Sequence, residues 1–180
     1  MLRTFATAAI GLLVAGAAAA TGGNSAYSGL EHRTIKTLSE QQVDDLRNGR
    51  GMGLALAAEL NRYPGPVHVL EASAALGLSA EQFRRTEALF EAMRAEAIPI
   101  GLQIIALEAE LEALFAAAAA EPAGLERLVM AIAEAQGRLR YIHLGYHVEM
   151  RKLLTPRQLA RYDEVRGYSD RPGGAHQHRH

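Results

Sequence analysis

Apolar residues recur with alternating spacings of three and four along two long stretches of the chain. The first runs Phe83, Thr86, Phe90, Met93, Ala97, Ile100, Ile104, Leu107, Leu111 and Leu114, with Thr86 the one polar member. That rhythm keeps one face of a helix apolar. It predicts a helix from Ser79 to about Phe115, roughly 50–55 Å long at 1.5 Å per residue. Pro99 falls inside it, where a missing donor and a crowded preceding turn predict a kink near Ala95–Pro99. The second stretch runs Leu125, Leu128, Ile132, Ala135, Leu139, Ile142, Tyr146, Glu149 and Leu153, and Glu149 alone breaks it. Between the two, AAAAAEPAG reverses the chain, so the pair predicts a long antiparallel helical hairpin. No stretch sustains apolar/polar alternation, and no sheet is expected. The fold class is all-α, with four to five helices in total.

Shorter helices flank the hairpin. Ser39 caps a first helix, and Gln42 three residues on completes a capping box. GRGMG, Gly49 to Gly53, breaks that segment, because each glycine costs a helix about 1 kcal/mol relative to Ala. LALAAEL follows, and NRYPGP reads as a turn. A short helix spans about Val67 to Leu76. After the hairpin, Thr155 caps a last helix, Pro156 takes its first position and Gln158 closes the box. It reaches about Gly167. The helical domain is thus 38–168, after a flexible lead-in at 21–37 and before a polar His-rich tail at 169–180.

The start changes the picture of where the chain works. Arg3 precedes an uncharged run from Thr4 to Ala20, and Ala18-Ala19-Ala20 offers a small-x-small cleavage site. Residues 1–20 read as a secretory signal. The run holds 17 residues, about 25 Å as a helix against a hydrocarbon core of roughly 30 Å, so an uncleaved inner-membrane anchor is the weaker alternative. The expected location is a bacterial periplasm. The chain has no cysteine, which excludes disulfides, thiol chemistry and a lipid anchor on cysteine. A formal charge of −1 and the absence of Trp give no sign of nucleic-acid binding.

One pattern occurs three times: LSEQQ at Leu38–Gln42, LSAEQ at Leu78–Gln82 and LTPRQ at Leu154–Gln158. Any single copy is explained as a helix start. The second and third copies are different in placement, because one opens the hairpin and the other follows its return. LTPRQLARYDEVRG, together with LGLSAEQFRRTEALFEAMRAE, resembles the LTxxQ motif of the Spy/CpxP family of periplasmic stress proteins. The resemblance covers roughly Leu70 to Tyr168. Leu78, Ser79, Gln82, Leu154, Thr155 and Gln158 match the motif positions, with Ser79 standing where the motif has Thr. It implies an all-helical homodimeric cradle that needs no ATP and no cofactor. Its partners would be unfolded or misfolded envelope proteins and a membrane stress sensor. The alternative it implies is a heavy-metal resistance or sensor protein.

Histidine carries the metal alternative. His143 and His147 are four apart and share a helix face, with Met150 three further. His176, His178 and His180 lie in the tail. Neutral imidazoles and a thioether suit Zn, Ni or Cu. The bland explanation is a His pair at the edge of the seam and a solvated tail. The metal-sensing relatives place a His and a Met four apart on this helix. Here Tyr146 stands where that His would be, so their site is not carried over intact. No catalytic residue is expected: Leu144 follows His143 where a zinc hydrolase needs Glu, and no nucleophile elbow appears. Arg47, Arg50, Arg84, Arg85, Arg138, Arg140, Arg151 and Lys152 read first as solvated faces. On a concave surface they would suit extended clients.

Overall fold

The computed structural model describes residues 25–169, so the expected signal at 1–20 and the tail histidines His176, His178 and His180 lie outside the described residues. Within them the chain is all-helical. A single 3-10 turn, Leu30–His32, precedes α1 (Glu40–Arg47), α2 (Leu56–Glu59), α3 (Pro66–Glu71), α4 (Ser73–Leu76), α5 (Ala80–Ala116), α6 (Pro122–Leu153) and α7 (Pro156–Arg166). Four of these seven helices exceed one or two turns. The one short helix expected over Val67–Leu76 is divided at Ala72, which leaves helical geometry at φ −92° and ψ 4°. Pro99 is accommodated inside the continuous α5.

α5 and α6 pack along their lengths as the hairpin, cross-linked at their exposed edges by Tyr146 Oη donating to Glu96 at 2.6 Å and by Arg127 to Glu110 at 2.5 Å. The Glu96 carboxylate pushes the Tyr146 hydroxyl up to about 12. α1 and α3 lie on α5, α2 and α3 reach α6, and α4 packs against α7. The lead-in, where described, is held to α5: Ile35 is buried, Lys36 pairs with Glu112, and Thr37 donates to Glu108 at 2.8 Å. Thr86, the polar seam position, is fully buried and donates to the Gln82 carbonyl at 2.7 Å. Its hydroxyl is therefore satisfied within its own helix.

The buried stripe of α6 departs from the expected seam. It follows Leu128, Ile132, Ala135 and Leu139, then passes to His143, His147 and Met150. A strict 3.5-residue repeat drifts around a straight helix of 3.6 residues per turn, and α2 and α3 cover the side to which the drift leads. Glu149 is accordingly exposed and pairs with Lys152 at 2.6 Å. Two apolar clusters result. One joins Leu46, Ala97, Ile104, Ala135 and Leu139 at mid-hairpin. The other joins Val69, Ala72, Leu76, Met150, Leu154 and Tyr162 near α7. The two histidines occupy the stretch of α6 between them.

All three expected capping boxes form, at Ser39/Gln42, Ser79/Gln82 and Thr155/Gln158. The second and third also bond to each other. Gln82 Nε2 donates to Gln158 Oε1 at 2.9 Å, and Gln158 Nε2 donates to Gln82 Oε1 at 3.0 Å. Each amide oxygen meanwhile closes its own box, on Ser79 N and Thr155 N at 3.0 Å. Gln82 Nε2 further satisfies the Leu153 carbonyl at the end of α6, at 3.0 Å. Glu would serve a capping box as well as Gln, but only a carboxamide has the N–H groups this pair needs. Gln82→Glu is therefore expected to keep the cap and the bond from Gln158 Nε2, and to lose the bonds Gln82 donates to Gln158 Oε1 and the Leu153 carbonyl. In an alanine double-mutant cycle, Gln82 and Gln158 should couple by about 1 kcal/mol, read from urea unfolding. Additive effects would show that the amide pair contributes nothing.

Candidate functional site

The residues flanking the hairpin enclose a cleft of about 580 Å³. One wall is the GRGMG segment, in which Gly49, Met52 and Gly53 adopt positive φ of 64°, 44° and 77°. A second wall is Ala55, Leu56 and Glu59 around α2. Pro66, Val67 and His68 of α3 form a third, and Phe90, Met93, Arg94, His143 and His147 of the hairpin complete it. GRGMG thus does more than interrupt a helix, since its turns carry backbone over His143. Gly51 lies above the His143 ring, 3.8 Å from an added Cβ to Nδ1.

The sequence placed His143 and His147 near the edge of the seam. The structure buries both, at 2% and 8% exposure. His147 Nδ1 lies 2.6 Å from the Tyr63 carbonyl. A carbonyl only accepts, so Nδ1 carries the proton and Nε2 presents a lone pair. Gly65 sits so close that an added Cβ would lie 2.9 Å from that Nε2. His143 Nε2 is buried without a hydrogen-bond partner. His68, whose Nδ1 pairs with Glu71 at 3.0 Å, lines the rim. Met150 is not part of this cleft. It is fully buried in the apolar cluster with Val69 and Leu154.

Glu59 is the residue that sequence patterning missed. An acidic residue in LALAAEL reads as solvent-facing, yet it is 7% exposed. Its Oε1 accepts from Tyr162 Oη at 2.5 Å and Tyr168 Oη at 3.2 Å, and Oε2 accepts from Gly65 N at 3.1 Å. Arg166 Nε and His147 Nδ1 stand 3.7 and 3.8 Å away. Burial and the Glu59 carboxylate together push the Tyr162 hydroxyl up. Nearby, the turn of residues 61–65 is tied down on α6 and α7. The Arg151 guanidinium lies 4.6 Å from the Tyr63 ring and donates to the Arg62 carbonyl. Arg62 Nε also stands 2.8 Å from buried Asp163 Oδ2. That contact is ionic, because Oδ2 receives no hydrogen bond of good geometry.

Both buried imidazoles are held below their ordinary value of 6.5. For His143 the cause is burial first and the neighbouring His147 second. For His147 burial outweighs the opposing Tyr63 carbonyl and Glu59 carboxylate. The unfolded chain takes up these protons below 6.5 while the folded chain resists, so stability from the pair is present above that value and is lost as pH falls toward the folded values. The melting temperature is expected to drop between pH 7 and about 5, and His143→Leu should flatten that drop. An unchanged slope in the variant would remove His143 from the explanation.

Among the described residues, no three His, Cys, Asp or Glu side chains are grouped so as to hold a metal ion. No described helix is long and apolar enough to cross a membrane. Comparison with protein-family models, curated proteins and solved structures found no match.

Proposed function

We propose that this chain is a periplasmic, ATP-independent binding protein of the Spy/CpxP type, holding unfolded envelope proteins or reporting them to a membrane sensor. The observation that carries this is the reciprocal Gln82–Gln158 pair. It makes two separate motif copies into one joint at the base of the hairpin, which gives the resemblance a structural meaning beyond two chance capping boxes. Large apolar side chains left exposed on the hairpin supply the means. Leu102 and Phe115 on α5, with Val129, Met130, Tyr141 and Val148 on α6, are 41–77% exposed. Arg138 and Arg140 are exposed on the same helix. Extended clients or a second copy of the chain would cover such surface reversibly, without nucleotide chemistry. The test is light scattering from a reduced, aggregating client at equimolar protein without metal. Suppression is expected, and Met130→Ser with Tyr141→Ser should weaken it. Unchanged aggregation of several clients would defeat the proposal.

A second reading, a metal-binding resistance or sensor protein, is favoured by one observation. The tautomer of His147 is fixed by a backbone carbonyl, the arrangement that orients metal-ligating imidazoles. Calorimetry with Zn, Ni and Cu decides it. Binding that survives His143→Ala with His147→Ala would assign the metal elsewhere.

A further inference from the structure

The geometry points to the cleft between GRGMG and α6 as a site for a small, uncharged aromatic molecule bearing one N–H or O–H donor, of the indole or phenol class. Three features of the cleft carry this. First, its walls are mainly apolar and its volume, about 580 Å³, is that of a small-molecule site. Phe90, Leu56 and Met52 offer ring, aliphatic and thioether faces, which suit a flat ring. Second, the polar recognition group has a defined direction. His147 Nδ1 is committed to the Tyr63 carbonyl, so Nε2, beside Gly65 on a ring that lines the cleft, is left as an acceptor only. His143 lines the same wall, its Nδ1 edge toward Gly51. An unpaired acceptor in a mainly apolar cleft is costly to leave unmade.

Third, the charges around the cleft give an ionised ligand no counter-ion. Arg50 is engaged by Asp44 and Asp45 at 2.5 and 2.9 Å. Arg94 is turned toward the Asn48 carbonyl, the Phe90 ring and Glu91. Glu59 is already occupied by two tyrosine hydroxyls and the Gly65 amide. A carboxylate ligand would meet the lone pair of His147, and an ammonium would have that one acceptor but no uncommitted carboxylate to offset its lost hydration among mainly apolar walls. This site is independent of the exposed apolar side chains on which the proposed client binding rests.

The chain contains no tryptophan, so indole fluorescence reports occupancy directly. The full chain is titrated against indole and 1-methylindole, which differ in little but the donor, with a chelator present to exclude metal. Saturable one-to-one binding of indole is expected, about tenfold tighter than 1-methylindole. His147→Phe should bring the two to equal affinity. No saturable indole binding, or equal affinities in the unaltered chain, overturns the inference without reference to any variant. An unstructured peptide carrying one tryptophan serves as the last arm. If it displaces indole as effectively as free indole does, the cleft belongs to a client side chain and the free-molecule assignment is wrong.

Discussion

Glu59→Ala is expected to lower unfolding stability by about 3 kcal/mol, in the range for breaking a buried, hydrogen-bonded charge network. The carboxylate accepts from Tyr162, Tyr168 and the Gly65 amide at once. Removing it leaves the Tyr162 hydroxyl without its partner in a ring that is 1% exposed. It also frees the Gly65 amide and the turn that holds His147, so the loss spreads from α7 to the cleft wall. Glu59→Gln keeps the volume and one acceptor oxygen, and it should cost less. Tyr162→Phe keeps the ring in the cluster with Val69 and Met150 and tests the hydroxyl alone. Urea unfolding with an unchanged m-value is the measurement. A Glu59→Ala midpoint indistinguishable from the parent would mean that solvent replaces the network, and the view of Glu59 as an organising residue would fail.

The contrast between Glu59 and the capping residues shows what a linear pattern can carry. Ser79 and Gln82 interact over three residues, so their box was legible in the sequence, as were the hairpin and its reversal. The tyrosine partners of Glu59 lie 103 and 109 residues away, and nothing local marks them. The α6 seam was legible as far as Leu139. Beyond it, which face is buried depends on where α2 and α3 settle, and His143 and His147 moved from the edge of a stripe to its centre. The same drift explains Glu149, which looked like a violation because the wrong face was being followed. Met150 was grouped with the histidines by spacing alone. Its burial among Val69, Leu76 and Tyr162 comes from three neighbours, α3, α4 and α7, whose positions no spacing on α6 encodes. The break at GRGMG could be read from composition, while its use as a cleft wall could not.

Gly101→Ala should destabilise the protein even though alanine is the better helix former. The substitution gains about 1 kcal/mol of helix propensity. Against this stands the backbone of α1. An added Cβ would lie 2.8 Å from the Leu46 carbonyl carbon and closer still to its oxygen. No rotamer change relieves a clash with backbone, so α1 must withdraw, at an overpacking cost of about 3 kcal/mol. The difference leaves a net loss of about 2 kcal/mol. Gly101 shares a helix face with Ala97, fully buried, and Gly49 packs there too, 3.3 Å from an added Cβ to Ala97. Small residues on both sides let α1 and the start of GRGMG lie directly on α5. Withdrawal of α1 would therefore also shift the wall of the cleft, and indole binding should weaken with stability. Gly137→Ala and Gly145→Ala supply the control in the same hairpin, since a Cβ at either meets nothing within 4 Å. Those two should raise the thermal midpoint while Gly101→Ala lowers it. A rise in all three would show that α1 is not seated on α5 as described.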